Sequence, residues 1–306
     1  MLSTALPRPI GAALWLPWLL ALCPVLALVS AARAADDEAL RVMTFNIRYA
    51  AAPDGENAWN KRKELLESVV EKTNPDLLGA QEVLAGQADF LKEKLGDYTL
   101  VGVGRDDGKR AGEFTALWFR TSRFGLVDSG TFWLSETPEK VGSKGWDAAL
   151  PRTVTWARLK DHAAGDREFY FLNTHWDHKG NQARIESGKI IRRWLAQHAD
   201  NAPAIVTGDF NVNDDHEGYQ ALLATGDGGP KLVDAYRQVH AKQRADEATF
   251  HGFTGNRRGK PIDFILATPE FSASEATIIR SNDNGRYPSD HYPVLAVFRN
   301  TPTAKK

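Results

Sequence analysis

Polar and apolar residues alternate through Leu40-Arg41-Val42-Met43-Thr44-Phe45-Asn46-Ile47, the two-residue period of a strand. The pattern then changes. From Arg62 to Glu71, Leu65, Leu66, Val69 and Val70 recur at helical spacing, and the segment stops before Asn74-Pro75, a pair that ends helices. Asp76-Leu77-Leu78-Gly79-Ala80-Gln81-Glu82-Val83 reads as a short buried strand, and Phe90 to Leu95 as the end of another helix. Strands dominate the middle of the chain: Thr115 to Phe119, Phe124 to Leu134, Thr153 to Leu159, and Glu168 to Thr174. Gln182 to Ala199 is the clearest helix, with Ile185, Ile190, Ile191, Trp194 and Leu195 on its apolar face. Strands return at Ala204 to Phe210, Ile262 to Ala267, Ala276 to Ile279 and Val294 to Phe298. No internal repeat, low-complexity tract or linker is visible. Many strands with a few helices between them predict sheet packed on sheet with helices outside.

Ahead of the first strand lies a different kind of segment. Ile10 to Val29 is mostly apolar but broken by Pro17 and Pro24, with Arg8 before it and Ala32-Arg33-Ala34 after it. That order of positive charge, apolar run and small-x-small triplet predicts a secretory signal peptide over residues 1–34, leaving one mature domain over 35–306. The prolines and the cleavage pattern argue against an uncleaved anchor. A lipoprotein signal at Cys23 is the other alternative, disfavoured by the bulky Leu22 before it. Cys23 is the only cysteine, so the mature protein is expected to hold a core of about 270 residues without a disulfide. Without Arg8 and Arg33, 36 basic residues face 39 acidic ones, a net charge of −3 with no basic block. A broad electrostatic footprint for nucleic acid is absent, although a local positive groove remains compatible with this balance. The expectation is an exported monomer, periplasmic or extracellular, with no stable membrane insertion after cleavage.

Chemistry-bearing residues recur at the ends of the apolar strands. In Ile205-Val206-Thr207-Gly208-Asp209-Phe210-Asn211, strand geometry sends Asp209 and Asn211 to one side and Phe210 to the other. Asn46, Glu82 and His175 each close an apolar run, Asp263 opens one, and Asp290-His291 precedes the last strand. Each alone has a plain structural reading, since strand-end Asp and Asn often cap turns and a lone His is usually a packing residue. Recurrence on successive strands makes coincidence a poor account, because side-by-side strands bring such tips together. Oxygen donors of this kind suit Mg²⁺ or Mn²⁺ better than zinc.

Six pieces, in order over nearly the whole mature chain, carry a family likeness. They are Thr44-Phe45-Asn46, Gln81-Glu82-Val83, Asn173-Thr174-His175, Gly208-Asp209-Phe210-Asn211, Ile262-Asp263-Phe264-Ile265 and Ser289-Asp290-His291-Tyr292-Pro293-Val294. The chain resembles the endonuclease/exonuclease/phosphatase superfamily, the deoxyribonuclease I-like fold. The resemblance implies an α/β protein: a four-layered α/β/β/α sandwich of two packed, mostly antiparallel sheets with the site at one end. Segments such as Asp54-Gly55-Glu56-Asn57-Ala58-Trp59 and Gly130-Thr131-Phe132-Trp133-Leu134 also resemble a bacterial secreted branch of that superfamily.

The resemblance further implies metal-assisted hydrolysis of a phosphoester. In it, Glu82 is the principal Mg²⁺ ligand, with Asn46 and Asp290 near the ion or its waters. Asp209 orients and deprotonates the attacking water, Asn211 supports that water and donates to phosphoryl oxygens, and His291 contacts the scissile phosphate. Asp263 fixes the His291 ring, and His175 binds phosphate or assists the leaving group. Arg152 resembles a phosphate-contacting arginine, with a surface arginine as the alternative, and His178, beside Asp177, either joins the site or belongs to a turn. Arg48 and Asn57 are weaker candidates. Trp59, Trp133, Trp146 and Trp176 are either stacking platforms or packing residues, whereas Trp118, Trp156 and Trp194 fit the core. The expected function is a secreted Mg²⁺-dependent nuclease or phosphodiesterase. The alternatives are a phosphatase of a small phosphorylated metabolite such as a sugar or inositol phosphate, a lipid phosphodiesterase, or a non-catalytic binding module on the same fold.

Overall fold

The computed structural model describes residues 1, 2, 5, 39–199, 202–226 and 228–300. The expected signal peptide, with Cys23 and the triplet at 32–34, lies outside the described residues apart from Met1, Leu2 and Ala5. In chain order the elements are β1 (Leu40–Asn46), α1 (Trp59–Thr73), β2 (Leu77–Val83), α2 (Ala85–Lys94), β3 (Tyr98–Val101) and β4 (Phe114–Arg120). They continue with β5 (Phe124–Trp133), β6 (Thr153–Asp161), β7 (Arg167–His175), α3 (Asn181–His198), β8 (Ala204–Asp209) and α4 (Glu217–Leu223). The last are β9 (Val233–Asp234), α5 (Ala235–Val239), β10 (Asp263–Ala267), β11 (Phe271–Ile278) and β12 (Val294–Asn300).

Among the described residues the strands form two six-stranded sheets, ordered β11-β12-β1-β2-β4-β3 and β5-β6-β7-β8-β10-β9. Only β1 with β2 and β7 with β8 pair in parallel, and α1 and α3 are the crossovers between them. The facing sides of the sheets share one apolar core, where Val42, Leu77 and Phe119 meet Phe169, Phe171 and Ile205. Outside the first sheet, Leu66, Val69 and Val70 of α1 and Leu91 of α2 cover Met43, Phe45, Leu78 and Trp118. Outside the second, Ile190, Ile191 and Leu195 of α3 and Leu222 of α4 cover Leu172, Val206 and Leu266. The result is the α/β/β/α sandwich that the sequence predicts. No described helix is long and apolar enough to cross a membrane.

Near the site end, the inter-sheet core changes from apolar to polar. Gln81 Nε2 donates to Asn173 Oδ1 (2.7 Å) and Thr44 Oγ1 (3.0 Å), and Asn173 Nδ2 reaches across to the carbonyls of Ala80 and Ala116. Thr207 Oγ1 adds a second bond to Asn173 Oδ1. Gly79 permits this approach, because a Cβ there would collide with Thr207 Oγ1 and Asn173 Oδ1. Apart from Gln81 Oε1, these buried polar groups find partners in the opposite sheet or their own, so the layer fixes the sheets in register beneath the site.

α1 ends with Asn74 in the left-handed conformation (φ 49°), just before Pro75, as the sequence predicts. The short β3, β9, α4 and α5 carry no pattern long enough to be predicted. β11 begins five residues earlier than expected, at Phe271 instead of Ala276, and holds a bulge between Ala273 and Glu275 that breaks its alternation.

Candidate active site

The predicted strand-end residues meet at one end of the sandwich. Parallel pairing sets Asn46 opposite Gln81 and His175 opposite Asp209, and antiparallel pairing sets Asp263 opposite Asp209. Glu82 is aimed by a register shift in β2 between Ala80 and Val83, and its backbone is left-handed (φ 60°). Arg48 (φ 56°) and Asn211 (φ 52°) share that uncommon conformation just past the ends of β1 and β8. A cavity of about 430 Å³ opens over these residues. Glu82, His175, Asp209, Asn211, Asp290 and His291 line it, together with Arg152 and His178. Asn46 and Asp263 stand behind this lining and bond to it.

Hydrogen bonds tie the lining together. Asn46 Nδ2 donates to both Glu82 Oε1 (3.0 Å) and Asp209 Oδ2 (2.9 Å), bridging carboxylates from the two sheets. The Tyr49 amide donates to Glu82 Oε2 (3.0 Å), and the Asn211 amide to Asp209 Oδ1 (2.9 Å). His291 Nδ1 bonds to Asp263 Oδ2 at 2.9 Å, which leaves Nε2 directed at the cavity, 3.8 Å from Asp209 Oδ2. Ser289 donates to the Asn46 carbonyl (2.7 Å), fixing the Asp290-His291 segment to the end of β1. Phe210 points the other way, as strand geometry requires, and stacks on buried Trp176.

Electrostatics separate the roles. Burial, followed by the charge of Asp263, raises the Asp209 carboxyl well above its ordinary range. Burial opposes charge on His291, yet Asp263 and Asp209 push its imidazolium up to about 10. His175 is the reverse case: burial and the charges of Arg152 and Arg105 hold it neutral. A neutral His175 can accept from Asn211 Nδ2 (3.0 Å) through Nε2 and so orient that amide. One histidine is thus charged and the other neutral, in the same cavity.

Two carboxylates suit a divalent cation. Burial raises the Asp290 carboxyl; His291 counters this, and the nearby charge of Glu82 adds to it. Adjacent anions facing one cavity form an all-oxygen donor set of the Mg²⁺ or Mn²⁺ type. Asp209, Asp263 and His291 also bring ligand atoms within 4.8 Å of one another. Their geometry is better satisfied internally, since His291 Nδ1 already serves Asp263 and its charge would repel an ion.

The wall holds the softer candidates. Arg152 is buried and not a surface arginine: Nη2 meets His178 Nδ1 (2.9 Å), and Nε meets Asp177 Oδ2 (3.3 Å). Asp177 accepts from the amides of Ala149, Lys179 and Gly180. Against the opposing effect of burial, these bonds hold it well below the usual carboxylate range. Asp177 therefore anchors the wall and does not face the cavity. Arg48 lines the cavity, clamped by Asp54 and 3.6 Å from Asp290 Oδ2. Asn57 contributes only its carbonyl, to Arg62.

Four cavity-lining residues escape the sequence analysis: Tyr49, Glu113, Leu150 and Phe250. Glu113 pairs with Arg105 through two bonds and stands 3.9 Å from His175 Nδ1. Its position immediately before β4 was the one available signal. Among the described residues no tryptophan lines the cavity. Trp133 and Trp176 are buried, Trp146 packs against the outer core of the second sheet, and Trp59 sits beneath Arg62. Trp118 is core as expected, while Trp156 and Trp194 meet at a tilt at the core's rim, 5.2 Å between centroids.

Known proteins share this arrangement. The chain is 38% identical to a solved endonuclease/exonuclease/phosphatase from Bacteroides vulgatus, with a TM-score of 0.79 over 86% of this chain and 99% of that one. It is 37% identical to the solved mannosyl-6-phosphatase of Bacteroides thetaiotaomicron, with a TM-score of 0.77 over 85% and 99%. Nocturnin of Drosophila melanogaster is 23% identical over 299 residues, covering 84% of this chain and 44% of that protein. The chain spans about half the length of the curated relatives it matches. Residues 43–291 match the model of the Endonuclease/Exonuclease/phosphatase family, and the chain belongs to that family of metal-dependent phosphoesterases.

Proposed function

We propose that the protein is an exported, Mg²⁺-dependent phosphatase of a small phosphorylated metabolite, acting as a monomer. The observation that carries this is the shape of the site. Its cavity of about 430 Å³ is walled by Leu150 and Arg152 from the β5–β6 segment and by Phe250 from the α5–β10 segment. That volume suits one small ligand, whereas a long nucleic acid asks for an extended positive groove. The deficit of basic residues points the same way, and the likeness to a solved mannosyl-6-phosphatase supports it. Export rests on the apolar leader and its cleavage triplet.

Glu82 and Asp290 would hold the ion, with Asn46 fixing Glu82 against Asp209. When bound, Mg²⁺ (or Mn²⁺) supplies positive charge for the phosphoryl oxygens and the departing alkoxide. Asp209, with its raised affinity for a proton, takes one from the attacking water. Asn211, held by the Asp209 carboxylate, by His175 and by the Trp176 carbonyl, supports the attacking water. His291 donates a hydrogen bond through Nε2–H to the scissile phosphate, and Asp263 keeps the ring charged. Arg152 Nη1, buried without a hydrogen-bond partner, and His178 complete the oxyanion side.

Hydrolysis of p-nitrophenyl phosphate and bis(p-nitrophenyl) phosphate, each with Mg²⁺ and with chelator, tests the assignment. The monoester should be turned over faster, and only with the metal. Diester-only turnover would move the assignment to the nuclease and phosphodiesterase class. Folded protein inactive on both would remove either.

A further inference from the structure

Phe250 is an oddity in this cavity. It is 50% exposed, one of few large apolar side chains so placed among the described residues. Its backbone is nevertheless rigidly held. Phe250 bridges to His291, the His251 amide donates to the Asp290 carbonyl (2.8 Å), and the Tyr292 amide to the Thr249 carbonyl (2.7 Å). Thr249 Oγ1 in turn accepts from the amides of Ile262 and Asp263. The ring meets His291 edge-on, 5.0 Å between centroids, and lines the mouth. An exposed aromatic on a backbone fixed to two site residues is a preformed surface, with little ordering left to lose on binding.

Polar groups share its cavity. Arg152, His178 and Glu113 line the same cavity, so one flat apolar ring shares the space with donors and an acceptor. This combination fits a ligand with an apolar face and a rim of hydroxyls. We infer that Phe250 is a specificity-determining residue that stacks on the pyranose ring of a sugar phosphate, with the hydroxyls directed at polar groups of the same cavity. The inference rests on the phosphatase assignment and names the alcohol half of the substrate. Phe250 lies one ring beyond His291, so the atoms above it are those of the leaving alcohol and not of the phosphate.

The test compares kcat/KM for a hexopyranose 6-phosphate with that for glycerol 3-phosphate, which has no ring, in wild type, Phe250→Ala, Phe250→Leu and Phe250→Tyr. Thermal melting confirms that each variant is folded. The preference for hexose over glycerol should fall about tenfold in Phe250→Ala, mainly through KM. Phe250→Tyr should keep the preference, and Phe250→Leu, apolar but not flat, should recover little of it. Equal losses on both substrates would show that the ring only packs against His291, and would overturn the inference, as would an unaltered preference. A 5′-mononucleotide that loses most of all would put a base on the ring and overturn the pyranose assignment. Wild-type protein inactive on every monoester would instead remove the phosphatase assignment, and the inference with it.

Discussion

Asp209 and His291 sit 3.8 Å apart and must act in opposite protonation states. As the proposed base Asp209 must be deprotonated, and its carboxyl is raised by burial and by Asp263. Activity should therefore be absent in acid and appear as pH climbs through a value above the ordinary carboxylate range. His291 donates only when protonated, so activity disappears as pH passes about 10. Asp263 is a cause of both displacements. Asp263→Asn should move both limbs of the kcat/KM profile toward acid, by about one pH unit or more, where a unit is about 1.4 kcal/mol of differential interaction. Limbs left in place would mean that Asp263 only packs the ring. Asp209→Asn should cost turnover by about 10²–10⁴ at any pH, and wild-type rates would dismiss it as the base. Asp209, Glu82 and His175 were legible in the sequence because each closes an apolar strand, and a strand end has a defined neighbour. Glu113 and Phe250 were not, because loops carry them and distant contacts set the path of those loops.

At the scale of elements, α1 does more than cover a sheet. Its Arg62 is 0% exposed and meets no carboxylate. It donates to four carbonyls: Asn57 (2.9 Å), Ile47 (2.7 Å), Pro288 (2.8 Å) and Arg48 (2.8 Å). These belong to the segment after β1 and the segment before Asp290, so one guanidinium joins the helix to both approaches of the proposed ion site. Burial lowers its proton affinity, to about 10, but leaves it charged at neutral pH. Arg62→Met should cost about 3–5 kcal/mol in denaturant unfolding, since four carbonyls lose a charged donor. Arg62→Lys should recover less than half, because an ammonium cannot span the fork geometry. A Met variant as stable as wild type would refute this role. The helix itself was plain from Leu66, Val69 and Val70, but Arg62 read as an ordinary polar-face residue. Periodicity shows which face is apolar, not which cation the loops will bury.

For the molecule as a whole, the described residues of the unit Glu38–Lys306 contain the core and the site. If the chain is exported as proposed, its mature form should begin at Ala35 when made in a secreting host, as intact-mass measurement would reveal. Retention of residues 1–34 would withdraw the export proposal. The two-sheet architecture was foreseeable from strand number and from six ordered motifs. The pairing order was not, because it depends on contacts between strands far apart in the chain. That order has a consequence of its own. Read across, β11-β12-β1-β2-β4-β3 and β5-β6-β7-β8-β10-β9 have the same sequence of parallel and antiparallel neighbours. The molecule is one six-strand plan drawn twice, although no repeat survives in the residues. Under that equivalence the end of β1, with Asn46, matches the end of β7, with His175, the end of β2 matches the end of β8, with Asp209, and the segment carrying His291 matches the one carrying Arg152. The bond from Asn46 to Asp209 thus joins the two matching pairs of parallel strands, one from each of two sheets built to a single order.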